Sequence, residues 1–493
     1  MPTRAQLTPP GRARLSPRGR AHKSPYVKAR QSPLGKAGQI LLGLLAVVLL
    51  AAGAAAAQQQ AMFGNSLSRN MVSDETGLPG EWDADSGMNI KWSQPVGSQA
   101  YAGPVVLDGQ VYVGTNNEGQ RDPAATGDRG VVMAFDADTG EFQWQVTHEK
   151  LPAGRVNDWP LQGICSTPFV EDGRLYYVSN RAEVVAVDTA GDLIWSFDMI
   201  NELDAFPHNL ATSSPLVVGD VVFASTGNGV DEGHIAIPSP FGPSFVALNR
   251  RTGELIWESS LPGENILHGT WTNPAYGVID GTPQVIFPGG DGWLYSFVPE
   301  TGELIWKFNL NPPGSVWRLG GQGTKNNVLA TPVIYDDKVF VGVGQDPEHG
   351  EAPGNFWAID ATGSGDVTAT HAVWHLGGDM VNRTMSTVAI ADGILYLADL
   401  SGFLYAHDVA TGERLWTYDA FAAVWGSPFV ADGRVYLGDE DGDVAVLRHG
   451  RELELIGEYN MGASVYTTPV AADGVLYVLS RNRLFALQVG ATS

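Results

Sequence analysis

A dense cluster of mixed oxygen and nitrogen donors lies in one glycine- and proline-rich stretch, GQDPEHGEAPGN, where Asp346, Glu348, His349 and Glu351 supply them. Carboxylates and imidazole so close together form a candidate metal site. A second group combines aromatic faces with fixed charge in other long, irregular stretches. It comprises Trp159, His268, Trp271, Arg318, Lys325, Arg383 and Trp425, and such a set suits recognition of a planar or anionic small molecule. Other signals are weaker. Asp439-Glu440-Asp441-Gly442-Asp443 has the acid density of a calcium loop but not the spaced glutamate of an EF-hand. His371 and His375 flank Trp374 in what reads as a strand. The one cysteine, Cys165, can form neither an internal disulfide nor a multi-thiol cage, and it reads as a small buried hydrophobe.

Positioning these residues requires a frame, and internal repetition supplies one. An apolar strand pair joined by Asp-Gly is followed by a strand ending in Ala-x-Asp, then Thr-Gly-Glu and a tryptophan. AGPVVLDGQVYVG with VVMAFDADTGEFQWQV closes at Trp144, and later copies close at Trp195, Trp257, Trp306, Trp374 and Trp416. A seventh copy, SPFVADGRVYLGDEDGDVAVL, has lost the tryptophan, and the eighth, TTPVAADGVLYVLSRNRLFALQV, supplies only three strands. Ahead of the first copy lies an orphan strand, NIKWSQPV, with Trp92 at the position of the closing tryptophan. An N-terminal strand completing the last blade removes two free sheet edges. The sequence therefore predicts an all-β, eight-bladed β-propeller of four-stranded antiparallel blades over residues 88–493. The closing tryptophans read as packing residues, each ring burying roughly 150–250 Å² against a neighbour.

Strand alternation then sorts the loops. Connections between strands one and two, and three and four, are short Asp-Gly and Thr-Gly-Glu turns on one face. Connections between strands two and three, and between blades, are long and varied on the other, where His208, Asn209, Trp317 and Asn326 join the candidates above. Localised function is expected on that long-loop face.

The charge distribution limits partners and location. The chain of 493 residues has a net charge of −24, yet Met1 to Ser73 contains ten basic residues and no acid. The remainder holds 20 basic against 54 acidic residues, net −34, which disfavours nucleic acid. Residues 1–37 read as a disordered basic cytoplasmic tail, 38–57 as a transmembrane signal-anchor helix and 58–87 as a linker. The uncharged run Ile40–Ala57 would span about 27 Å as a helix, just short of a bilayer core of about 30 Å. Its basic flank places the propeller on the extracytoplasmic side. Ala55-Ala56-Ala57 offers a small-residue cleavage site as the competing fate.

Eight copies of this phrase, covering about Trp92 to Val489, resemble the pyrroloquinoline-quinone-repeat propellers. These include the quinoprotein alcohol dehydrogenases and the propeller subunit of the outer-membrane β-barrel assembly machinery. The resemblance implies the fold, and it raises pyrroloquinoline quinone with Ca²⁺ as a possible cofactor. Quinoprotein alcohol dehydrogenases carry a Thr-Gly-Asn whose asparagine ligates calcium, matched here by Thr226-Gly227-Asn228. Their His-Asp-x-Trp-Asp stretch supplies the catalytic carboxylate, but the matching stretch here is His268-Gly269-Thr270-Trp271-Thr272. Both acids are absent, and a single cysteine cannot form the adjacent pair found near the quinone in many of these enzymes. The sequence thus favours a membrane-anchored scaffold that binds a protein, peptide or small ligand through its long-loop face. A quinone- and calcium-dependent oxidoreductase and a cell-envelope polysaccharide binder are the alternatives. On the first alternative the quinone would meet Trp159, Asn228, His268, Trp271, Arg318, Lys325, Arg383 and Trp425. A metal would draw on Asn228, Asp346, Glu348 and His349.

Overall fold

A computed structural model of the chain describes residues 60–152, 158–209, 213–350 and 353–492. The described residues form eight antiparallel sheets in ring order, each built on four strands. In blade 1 these are Val105–Leu107, Gln110–Asn116, Gly130–Asp136 and Phe142–His148, from the inside out. Blade 8 contains Val470–Ala472, Val475–Leu479 and Arg483–Thr492, and Met88–Pro95 is its outermost strand. Trp92 stands opposite Ala486 and Pro95 opposite Arg483, so the two ends of the propeller close the ring as the sequence predicts. The segment 38–57 read as a transmembrane anchor lies outside the described residues. No helix among the described residues is long and apolar enough to cross a membrane.

Each blade is locked to the next by its outer-strand tryptophan. Trp92, Trp144, Trp195, Trp257, Trp374 and Trp416 each donate an indole N–H to a carbonyl in the third-to-fourth-strand turn of the following blade, at 2.8–3.1 Å. In five of the six, all but Trp416, the ring lies against a glycine of that turn. Gly253 has φ +75°, and a Cβ there would come within 2.7 Å of the Trp195 ring. Glycine is required both by the positive φ and by the close approach. Trp306 of blade 4 departs from this scheme. The next blade has a longer connection, and Gly365–Asp366 pairs in parallel with the Trp306 strand. Trp306 is fully buried and donates to Gln284 Oε1 of its own blade at 2.8 Å.

Within the stretch read as a linker, residues 60–75 form a strap that passes the inner strands in blade order. Gln60 O accepts from Val106 N, Ala61 O from Val170 N, Leu67 O from Tyr276 N, Ser68 O from Ile334 N and Met71 O from Val430 N. Asn70 exchanges two hydrogen bonds with Ile390, and Glu75 accepts from Asp473 N and Gly474 N of blade 8. The inner edge of a propeller blade is an unpaired strand, and the strap satisfies donors that would otherwise stand free. Its composition is polar enough to read as a linker, because hydrogen bonding rather than apolar burial holds most of it. Arg69 anchors the centre, fully buried, donating to Phe63 O, Pro274 O and Pro215 O at 2.8–3.1 Å. Burial lowers its guanidinium to about 9, so it remains charged at neutral pH.

Two substitutions test these contacts. Gly253→Ala should cost at least about 2 kcal/mol, since the left-handed backbone alone penalises a Cβ by roughly 1–2 kcal/mol; the shift of the urea midpoint measures it. Arg69→Met should cost about 3 kcal/mol by leaving several buried carbonyls unpaired, read as a lower thermal midpoint.

Candidate functional site on the long-loop face

The strap forms one wall of a cavity of about 300 Å³ that long-loop-side residues also line. Gln60, Met62, Phe63, Gly64 and Met71 supply that wall. The rest of the lining carries one hydroxyl or amide after another from the residues that enter each inner strand: Thr167, Ser214, Asn273, Thr331, Thr387, Ser427 and Thr468. Tyr101, Trp271, Trp425 and Tyr466 supply aromatic surface, with Tyr101 and Tyr466 stacked at 5.6 Å and Trp425 edge-on to Tyr466 at 6.1 Å. Cys165 lies in the wall, its thiol pushed up to about 12, chiefly by burial, so it is no thiolate at neutral pH.

Beside the cavity, loops of three consecutive blades bring together His208, His234, His268 and Glu348. His208 precedes blade 3, His234 lies in the long loop of blade 3, His268 precedes blade 4 and Glu348 lies in the long loop of blade 5. Glu348 Oε2 stands 3.6 Å from His268 Nε2, 3.7 Å from His234 Nε2 and 4.0 Å from His208 Nε2. His349 adds a fourth imidazole, its ring centroid 5.0 Å from that of His234 and 5.3 Å from that of His268. Asp346 Oδ2 lies 3.3 Å from His268 Nδ1.

Several contacts orient the cluster. His208 Nδ1 lies 2.8 Å from Val230 O, which turns Nε2 inward. Trp159 donates its indole N–H to Asn209 Oδ1, and Asn209 donates to Glu348 Oε1 at 2.8 Å. Arg383 donates to Gly350 O and reaches Asp346 O, bracing the loop that carries Glu348 and His349. The nearby imidazoles of His208 and His268, with Nε2 atoms 4.0 and 3.6 Å from Oε2, hold the Glu348 carboxyl well below its usual range. Burial lowers His234 to about 4, with neighbouring imidazoles adding to the effect, and burial likewise lowers His349.

The residues expected to serve one cofactor are distributed among separate environments. Trp271 and Trp425 line the channel cavity, and Trp271 also lines a cleft with Trp159 and Glu348. Asn228 is spent on its own loop, accepting from Phe206 N and donating to Ser239 O and Gly242 O. Arg318 is exposed, while Lys325 lies over the Trp293 ring. Among the described residues, no lysine, arginine or acid lines the cavity. A planar quinone with carboxylates would find aromatic surface there but no cation, and its calcium would find no free asparagine or carboxylate. The residues present do not fit that pair. His208, His234 and Asn209 carry no local motif that marks them as partners of Glu348; the only sequence signal was that their loops emerge on one face.

Comparison with known proteins places this geometry. The family profile described as "Outer membrane protein assembly factor BamB" matches residues 66–156, 128–370 and 290–488. The chain belongs to this family. BamB from Moranella endobia is 24% identical over 390 residues, covering 75% of this chain and 87% of the relative. The BamB structure from Moraxella catarrhalis superposes with a TM-score of 0.56 at 15% identity, covering 81% of this chain and 99% of that one. A europium-containing methanol dehydrogenase superposes with a TM-score of 0.60 at 14% identity, covering 85% and 89%. At such identities the superpositions show a shared propeller fold.

The depressed histidines give a pH prediction for metal-free protein. Unfolded histidines titrate near 6.5, whereas folded His234 titrates near 4, so the unfolded chain binds more protons between these values. Stability present above about pH 6.5 should fall as pH drops through 4. Thermal midpoints across that window should show a shallower slope in His234→Asn than in the native chain.

Proposed function

We propose that this BamB-family propeller is an extracytoplasmic binding module, tethered through its N-terminal apolar segment, that docks an envelope protein or peptide on its long-loop face. One observation carries the reading: the cavity is lined on the long-loop side by Tyr101, Trp271, Trp425 and Tyr466, and among the described residues no charged side chain lines it. A cavity of about 300 Å³ is at the lower limit of small-ligand pockets and suits an apolar side chain entering from a partner. Exposed Phe421 (88%) and half-exposed Tyr101 (43%) extend the apolar surface at the rim. Tyrosine and tryptophan are the residue types that dominate binding energy at such contacts. The relatives named as outer membrane protein assembly factors support a protein partner. The missing carboxylates at Gly269 and Thr272, with the uncharged cavity, weigh against quinone-dependent dehydrogenation.

Site-specific photo-cross-linking tests this in the full chain. A photoreactive group at Phe421 should capture one discrete envelope protein, and Trp425→Ala should reduce capture about 30-fold, the effect of losing an anchor worth about 2 kcal/mol. Equal capture from Leu453, in a short turn on the opposite face, would refute the assignment.

A further inference from the structure

The cluster beside the cavity has an electrostatic problem that hydrogen bonding does not solve. His268 is fully buried, and neither of its ring nitrogens has a hydrogen-bond partner. His208 is 2% exposed with Nε2 unpartnered, and the Nε2 of His349 is unpartnered as well. Buried polar atoms are nearly always satisfied, and His208 Nε2 and His268 Nε2 both face Glu348 Oε2 from 4.0 and 3.6 Å without a hydrogen bond, so this spot calls for a missing partner. Protonation provides one for a single ring at most: His268 lies between Asp346 Oδ2 at 3.3 Å and Glu348 Oε2 at 3.6 Å. Three imidazoles lie within 4.0 Å of Glu348 Oε2, and charging a second would set like charges with ring centroids 4.2–5.0 Å apart in a partly dry site. If they stay neutral, inward lone pairs remain unpaired. A cation that accepts those lone pairs resolves both difficulties.

We infer that His208, His234, His268 and Glu348 bind a divalent first-row transition-metal ion. One ligand atom from each lies within 4.8 Å of the others. Around a tetrahedral ion with bonds of about 2.0 Å, ligand atoms are about 3.3 Å apart. The Glu348-to-histidine separations of 3.6–4.0 Å therefore need only a small inward movement of the side chains. Outer contacts have the form metal ligands require. A backbone carbonyl at His208 Nδ1 fixes the tautomer that offers Nε2, Asp346 stands at His268 Nδ1, and Asn209 holds the outer oxygen of Glu348. Imidazole-rich donors with one carboxylate select zinc, copper or nickel over calcium or magnesium, which take oxygen.

The site also faces a ligand approach. Glu348 lines an open cleft with Trp159, Asn209, Trp271 and Tyr101, and the last two also line the channel cavity. A fifth donor comes either from His349 or from a molecule held in the cleft. The assignment stands independently of protein docking, because the orphaned nitrogens are there whether or not a partner binds.

Metal titration of the purified full chain, stripped with chelator and dialysed, tests the inference. With Zn²⁺, Cu²⁺ and Co²⁺ as separate probes, one ion per chain should be retained and the thermal midpoint should rise. Glu348→Gln and His234→Gln, at the two more exposed ligands, should each weaken affinity at least 100-fold while leaving the circular-dichroism spectrum unchanged. Asn209→Ala, which removes only an orienting contact, should weaken it about 10- to 100-fold. Co²⁺-loaded protein should show visible absorption of a low-coordinate nitrogen and oxygen site, altered in the histidine variant. The inference is overturned if no transition ion is retained, if both ligand variants bind as tightly as the native chain, or if Ca²⁺ competes on equal terms.

Discussion

Every distance on the long-loop face depends on the contact between a tryptophan of one blade and a turn glycine of the next. The indole is large, flat and carries one donor. Its face covers a glycine that has no Cβ, and its N–H meets a carbonyl of the same turn. The contact is apolar and directional at once, so it fixes the angle between blades as well as their separation. Repeated around a ring, small angular tolerances either close or fail to close. The pairing of Trp92's strand with the final strand shows that they close. Blade 7 has Gly457 at the equivalent place, opposite Val446, and Trp82 packs near that interface, 4.6 Å from Tyr459 and bonded to Met461 Sδ. A tryptophan from outside the repeat thus fills an interface whose own repeat lacks one.

A ring of eight leaves a wide axis lined by inner strands whose outer hydrogen-bonding edges have no neighbour. Side chains alone cannot satisfy those edges. The strap does, with backbone and amide groups, and its position follows from the spacing of the inner strands around the circle. Arg69 is the costliest element, a buried cation facing carbonyls and no carboxylate. Carbonyl dipoles from blades 3 and 4 converge on it, and this local concentration of negative potential explains how it stays charged. One consequence is functional: Tyr101 and Trp271 line both the cavity beside the strap and the cleft that holds Glu348, so the two sites adjoin.

The fold was legible because its information is local. Period-two strands, Asp-Gly turns and the tryptophan phrase each lie within a few residues, and repetition multiplied the signal. The strap was not legible, since Asn70 or Ser68 in an isolated sequence looks like any polar linker and its partners lie hundreds of residues away. The histidine cluster sits between these cases. Asp346, Glu348 and His349 stood out because they are adjacent in sequence. Their partners His208, His234 and His268 are separated from them by up to 140 residues, and only the ring brings them together. Asn228 pointed the other way: its motif was clear, yet its amide is consumed by the loop that contains it.

The matched stretch at His268 shows why likeness of frame does not transfer chemistry. Where the dehydrogenase pattern places two acids, this chain has Gly269 and Thr272. A Cβ on Gly269 would come within 2.9 Å of His208 Cβ, so the first replacement is what allows His208 and His268 to approach with ring centroids 4.2 Å apart. Thr272 is buried, and its hydroxyl lies 3.0 Å from that of Thr270; a charge there would have no counterion. Removing the acids eliminates a base at the channel, and the smaller glycine opens room for a second imidazole. The same backbone position that holds an acid in one branch of the fold therefore supports a nitrogen-rich cluster in this one.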